Sequence, residues 1–168
     1  HSLGLISYDA MEAMRRGMHT IWGPPIGGPV LLVAFLTHFF SALFSLYRRG
    51  SIRMPLWEAI QISLGILIFP MILIHVIGTA VAGAVIGFES TYEYLITVLW
   101  IAKPLRGVQQ SFMLLIVWGH LWVGLHFWLR LKVWYQTWFG VIYAFAIVTP
   151  ILSLLGFARI GRQLEVIS

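Results

Sequence analysis

Four long apolar stretches constrain this chain more than any other feature. A helix needs about 20 predominantly apolar residues to cross a hydrocarbon core roughly 30 Å thick. Residues 29–47, 56–86, 108–131 and 137–157 each supply such a run. Lipid offers no hydrogen bonds, so each crossing segment must satisfy its own backbone, which a helix does. The sequence therefore predicts an all-α integral membrane helix bundle with four transmembrane helices, forming one domain over residues 1–168. Composition agrees: 60% of residues are hydrophobic and only 10% charged, where a soluble domain carries about a quarter. Cysteine is absent, which excludes disulfides, thiolate metal sites and covalent haem attachment. The first residue is His1 rather than Met, which fits a processed or cropped start, and no signal-peptide pattern is visible.

The net charge of +5 gathers in short clusters between the runs. Such clusters address lipid headgroups and topology, not nucleic acid. Four spans put both chain ends on one side of the membrane. Arg48, Arg49, Arg53, Arg130 and Lys132 share the opposite, loop side; Arg15, Arg16, Lys103, Arg106, Arg159 and Arg162 lie on the end side. Five against six leaves orientation undecided by count, and the shortness of the two loops favours placing them in the cytoplasm. Tyr47, Trp57, Trp128, Trp134, Tyr135 and Trp138 suggest one aromatic belt, and Trp22, Tyr92, Tyr94 and Trp100 the other.

Two shorter helices are expected at the interface. Asp9 and Glu12 read as a capping box opening an amphipathic helix over residues 8–20, and Ser90 and Glu93 as a second box. The second helix should stop near Lys103, because Pro104 follows. Gly23-Pro24-Pro25 and Gly27-Gly28 read as a turn before the first span, and Pro70 should kink the second.

Ionisable side chains at membrane depth are costly and point to function. His38, His75, His120 and His126 all fall within predicted spans, with almost no acidic residue at that depth. A proton relay would use such acids, and zinc would need several converging ligands. Haem needs only two histidines on opposite faces of a flat ring. His38 precedes Arg48 by ten residues and His120 precedes Arg130 by ten, so both lie about 15 Å from the same face. Their helices run in the same direction, and the two rings can meet at one level. His75 follows Glu58 by 17 residues, roughly 25 Å from that face, and suits a second haem. Small residues flank these positions, among them Gly78 after His75 and Gly124 after His120. They offer room for a porphyrin, or simply let membrane helices pack. His126 points about 120° away from His120 and suits a propionate or headgroup contact. His1, His19 and His126 are further candidates for a missing ligand. A histidine that only hydrogen-bonds between helices is the structural alternative throughout.

The run from His38 to Arg49 resembles the second helix of the di-haem cytochrome b subunits of succinate:quinone and quinol:fumarate oxidoreductases, and the run from His120 to Lys132 resembles their fifth. The region around His75 is similar to their fourth. Segments 3–16, 47–59 and 125–132 resemble still more closely the membrane anchor of bacterial class III adenylate cyclases. In those proteins a six-helix cytochrome b domain precedes a ferredoxin-like module and a cyclase domain. The resemblance implies one or two haem b groups, with His38 and His120 holding one iron and His75 the other. It also implies a parent of six spans, the first before His1 and the sixth after Ser168. It further implies a multi-pass place in the bacterial inner membrane, quinone or quinol as redox partner, and a homodimer through the cytoplasmic cyclase domain of the same chain. The expected function is a redox-sensing domain that regulates that cyclase. The alternatives are an electron-transferring cytochrome b anchor and a haem-free structural anchor. No catalytic motif lies in this segment.

Overall fold

The computed structural model describes residues 1–23, 25–87, 89 and 91–167. It is helical throughout, with no strand among the described residues. A short 3₁₀ turn, Ser2–Leu5, leads into α1 (Tyr8–Trp22). Then follow α2 (Gly27–Arg49), α3 (Leu56–Val76), α4 (Ala82–Ile86), α5 (Tyr92–Ile96), α6 (Pro104–Leu129) and α7 (Val133–Ile167). Widened π turns, Ile77–Val81 and Thr97–Ala102, join α3 to α4 and extend α5. Four segments are long and apolar enough to cross a membrane: Gly27–Arg49, Leu56–Val81, Pro104–Leu129 and Val133–Gln163. The 23 residues of α2 extend about 35 Å, more than a hydrocarbon core requires. Large apolar side chains stand exposed along them, among them Leu31, Leu32 and Val33 on α2 and Phe145, Ile147 and Val148 on α7. In water such a surface would aggregate; in lipid it is solvated. The chain is thus a helical bundle of multi-pass membrane type.

Several boundaries differ from the sequence reading, each for a local reason. Gly27 and Gly28 do not form a turn but open α2. Gly27 lies against the backbone of Ile21 and Trp22, closer than any Cβ would allow, and so lets α1 meet α2. The first cap is Ser7, whose hydroxyl accepts from the Ala10 N–H at 3.1 Å, and not Asp9. Glu12 is drawn elsewhere. The second cap is Thr91, accepting from Tyr94 N–H at 3.2 Å; Ser90 lies outside the described residues. As expected, the helix opened by Tyr92 ends at Lys103, and Pro104 begins α6. The last helix runs well past residue 157, reaching Ile167.

The tightest packing lies on the end side. Met11, Tyr92, Ile96 and Ile160 form a buried cluster, flanked by Leu3, Tyr8, Leu95, Trp100 and Phe157. Gly4 rests on α7, where a Cβ would stand 2.6 Å from the Gly156 carbonyl oxygen. Nearly buried Glu12 clamps this knot. It accepts from Arg15 Nε at 2.8 Å and from the Tyr92 backbone N–H at 3.1 Å, and Arg15 also reaches Glu89 at 2.6 Å. The Arg15 guanidinium holds the Glu12 carboxyl below its ordinary value, whereas burial raises the Tyr92 phenol.

One contact repairs a fault in α7. Pro150 has no N–H, so the carbonyl four residues earlier, on Ala146, loses its intrahelical partner. The Trp118 indole N–H of α6 donates to that oxygen at 2.7 Å. A carbonyl that hydrocarbon would leave unsatisfied is thereby paired, and α6 is joined to α7.

Candidate functional site between the membrane histidines

α3 and α6 lie side by side in close backbone contact. α2 stands further off and reaches them mainly through rings. Phe39 stacks on Phe69 at 4.2 Å, Phe35 on the same ring at 5.9 Å, and His38 meets His120.

The two histidine ring centres are 6.1 Å apart and their planes are inclined by 78°. Residue counts put His38 and His120 at one level, and their rings do meet. His38 is exposed and His120 half-buried. Imidazole–metal bonds are about 2 Å long. Two imidazoles on opposite sides of one iron therefore stand with ring centres roughly 6 Å apart. The observed spacing meets that requirement.

The proton on His120 can be placed by chemistry. Its Nδ1 lies 3.1 Å from the backbone carbonyl oxygen of Gln61. A carbonyl oxygen only accepts, so Nδ1 carries the hydrogen and Nε2 keeps its lone pair. Metal-ligating histidines usually have this arrangement, one nitrogen tied to an acceptor and the other free. Gln61 also donates through Nε2 to the His120 carbonyl at 3.1 Å. His38 makes no side-chain hydrogen bond among the described residues, so its ring nitrogens remain available.

Glycines shape the pair. A Cβ on Gly65 would stand 3.0 Å from His120 Cε1, and one on Gly124 would stand 2.9 Å from Gln61 Nε2. Gly124 thus makes room for the Gln61 amide. At Gly78 a Cβ would meet nothing within 4 Å.

His75 lies elsewhere. Its side chain lies near that of Gln110 on α6, and its carbonyl accepts from Thr79 Oγ1 at 2.7 Å inside the π turn. Gln110 precedes His120 by ten residues, so His75 lies about 15 Å beyond the first pair along α6. No second histidine joins it among the described residues. His1 packs its ring against Tyr92 and Phe157, at 5.5 and 5.6 Å, in the end-side knot. His19 is exposed on α1. His126 Nδ1 lies 3.1 Å from the Tyr135 hydroxyl. Tyr135 is only 3% exposed and therefore belongs to the packing, not to an aromatic belt. His126 and Tyr135, with Arg130, Gln136 and Phe139, line a loop-side cavity of about 310 Å³.

Sequence reasoning missed Gln61, Gln110 and Trp118. The available signal was simple: the two glutamines are polar residues inside otherwise apolar spans, each facing a histidine. Among the described residues no group of three or more His, Cys, Asp or Glu side chains gathers as a metal site. Haem iron asks for only two axial ligands, and the His38/His120 spacing and the free Nε2 fit it. No family model, no curated protein and no solved structure matches the chain.

Proposed function

We propose that this chain is a haem b-binding membrane domain that senses redox state, through the quinone pool, and biases an attached adenylate cyclase. The observation that carries the haem reading is the His38/His120 pair, 6.1 Å between ring centres with His120 Nε2 left free. The cyclase and the quinone partner rest on the sequence resemblance.

His38 and His120 would hold the iron. When bound, haem supplies a one-electron couple. The chain's own part is to fix the proton on His120 Nδ1, to bring the two rings together edge-on across helices, and to keep acids away from that level. Arg49 pairs with Glu58 at the loop end of α2 and α3, and Arg130 and Lys132 stand at the end of α6. These basic side chains form the rim through which a change of charge at the histidine level would reach a soluble output. A bias of about 1–3 kcal/mol between two states is enough for regulation.

The test is an optical spectrum of the purified protein. The reduced form is expected to show the low-spin bands of a bis-histidine b-type haem. A folded but colourless protein, made with haem supplied, overturns the reading. With the haem established, cyclase output of the parent protein that ignores the quinol/quinone ratio would favour the electron-transferring anchor.

A further inference from the structure

We infer that Gln61 is the positioning residue for His120. This inference rests on the haem reading of the His38/His120 pair. Gln61 meets His120 twice, and in opposite senses. Its backbone oxygen accepts from the ring Nδ1, and its side-chain amide donates to the His120 backbone oxygen. The two bonds, both 3.1 Å, form a closed clasp between one residue of α3 and one of α6. Two glycines adjoin the clasp. Gly65 leaves space for the ring and Gly124 for the amide. Neither space is generous, so the clasp is sterically as well as chemically defined.

The consequence is a single tautomer and a single ring orientation. The ring bond alone would depend on α3 and α6 keeping their register. The side-chain bond supplies that register, because sliding either helix by one residue, about 1.5 Å, would break it. Within hydrocarbon no water replaces the lost partner. The amide oxygen of Gln61 is buried and has no hydrogen-bond partner among the described residues. Its side chain is therefore committed through nitrogen alone. An apolar residue of equal length would fill the space, keep the backbone acceptor, and lose only the side-chain half of the clasp and the register it sets.

The experiment uses the full chain, with Gln61→Met as the main variant. In the haem-loaded protein this variant should keep its helix content and its colour. It should release haem roughly 10- to 100-fold more readily and shift the low-spin ferric resonance, which reports ring orientation. Gln61→Glu should be pH-dependent. Its neutral acid can donate to the His120 oxygen and restore the native signal at low pH. The carboxylate formed at higher pH cannot, and the signal should move to that of the Met variant. A second readout needs no haem: nitrogen NMR of the imidazole should show one Nδ1–H tautomer in the native apo-protein and a mixture in Gln61→Met. If Gln61→Met fails to fold, Gly124→Ala, which presses on the amide and removes no polar group, should shift the same signals in the same direction. Unchanged resonance, retention and tautomer overturn the inference. A native protein that takes up no haem yet shows the single tautomer overturns the haem reading and leaves the clasp standing.

Discussion

The Trp118 indole and Pro150 make a prediction that can be worked through in numbers. Pro150 frees the Ala146 carbonyl, and Trp118 Nε1 takes it at 2.7 Å. Trp118→Phe removes the donor and leaves the oxygen unpaired within the bundle. A buried unsatisfied carbonyl costs about 1–3 kcal/mol, while hydrogen bonds measured between membrane helices average about 0.6 and reach about 1.7 kcal/mol. The expected loss is therefore about 1–2 kcal/mol, or roughly five- to thirtyfold in the unfolding equilibrium. Lost ring area contributes to the same number, and a cycle separates the two. Pro150→Ala restores a backbone N–H that can bond the Ala146 oxygen within α7. In that background Trp118→Phe should cost about 1 kcal/mol less, because the oxygen no longer needs the indole. The assay is equilibrium unfolding of the four proteins in one detergent. Equal costs of Trp118→Phe in both backgrounds, within about 0.3–0.5 kcal/mol, would refute the claim that the indole repairs the proline.

Two further outcomes follow from the same geometry. On the proposed reading both rings serve one iron, so His38→Ala and His120→Ala should abolish the same haem signal and the double variant should add little to either single one; independent losses in the spectrum would separate the pair, and His75→Ala should spare it. On the end side, Glu12 carries a carboxyl held below its ordinary value of 4.5 by Arg15, so its contribution is fully present above that pH and is lost as pH falls towards the lowered folded value. Exchange of the Tyr92 amide, which donates to Glu12, should accelerate in that window beyond its intrinsic pH dependence, and Glu12→Gln should flatten the response; identical profiles for the two proteins would remove Glu12 from the clamp.

The spans were legible in the sequence because lipid imposes one requirement that local composition alone can meet. A run of about 20 apolar residues is a helix whatever its neighbours do. The level of His38 and His120 was legible for the same reason, since a helix converts residue counts into depth. What the sequence withheld were partners set by packing. Ser7 and Asp9 are both competent caps, and the choice fell to Ser7 because Glu12 is engaged by Arg15 and by an amide 80 residues away. Tyr135 lies at a span end, where an interfacial tyrosine and a buried one look alike until His126 is found beside it. Gln61 and Gln110 were visible as polar interruptions, but their histidine partners depend on which faces of α3 and α6 meet. The orphaned Ala146 carbonyl was in principle predictable from Pro150 four residues on; its rescuer was not.

The two ends of the bundle are built differently, and the difference bears on how a signal could leave the histidine level. On the end side, backbones touch through Gly4 and Gly156, and a salt-linked clamp ties α1 to the segment before α5. Around His38, the approach of α2 is made by rings, which can move without unfolding a helix. A charge change there would meet little resistance from α2 and more from α6, whose ring is clasped by Gln61. Two residues before His120, α6 holds α7 through Trp118, and α7 enters the end-side knot at Gly156 and Ile160. These contacts are continuous, but continuity alone transmits nothing; an element with two discrete arrangements is required. Of the contacts on this route, the Trp118 bond offers such a choice most directly, since the indole can keep or release a carbonyl that α7 cannot satisfy alone. If the proposed redox reading holds, a change at the histidine level that breaks the Trp118–Ala146 bond has this route to the end side.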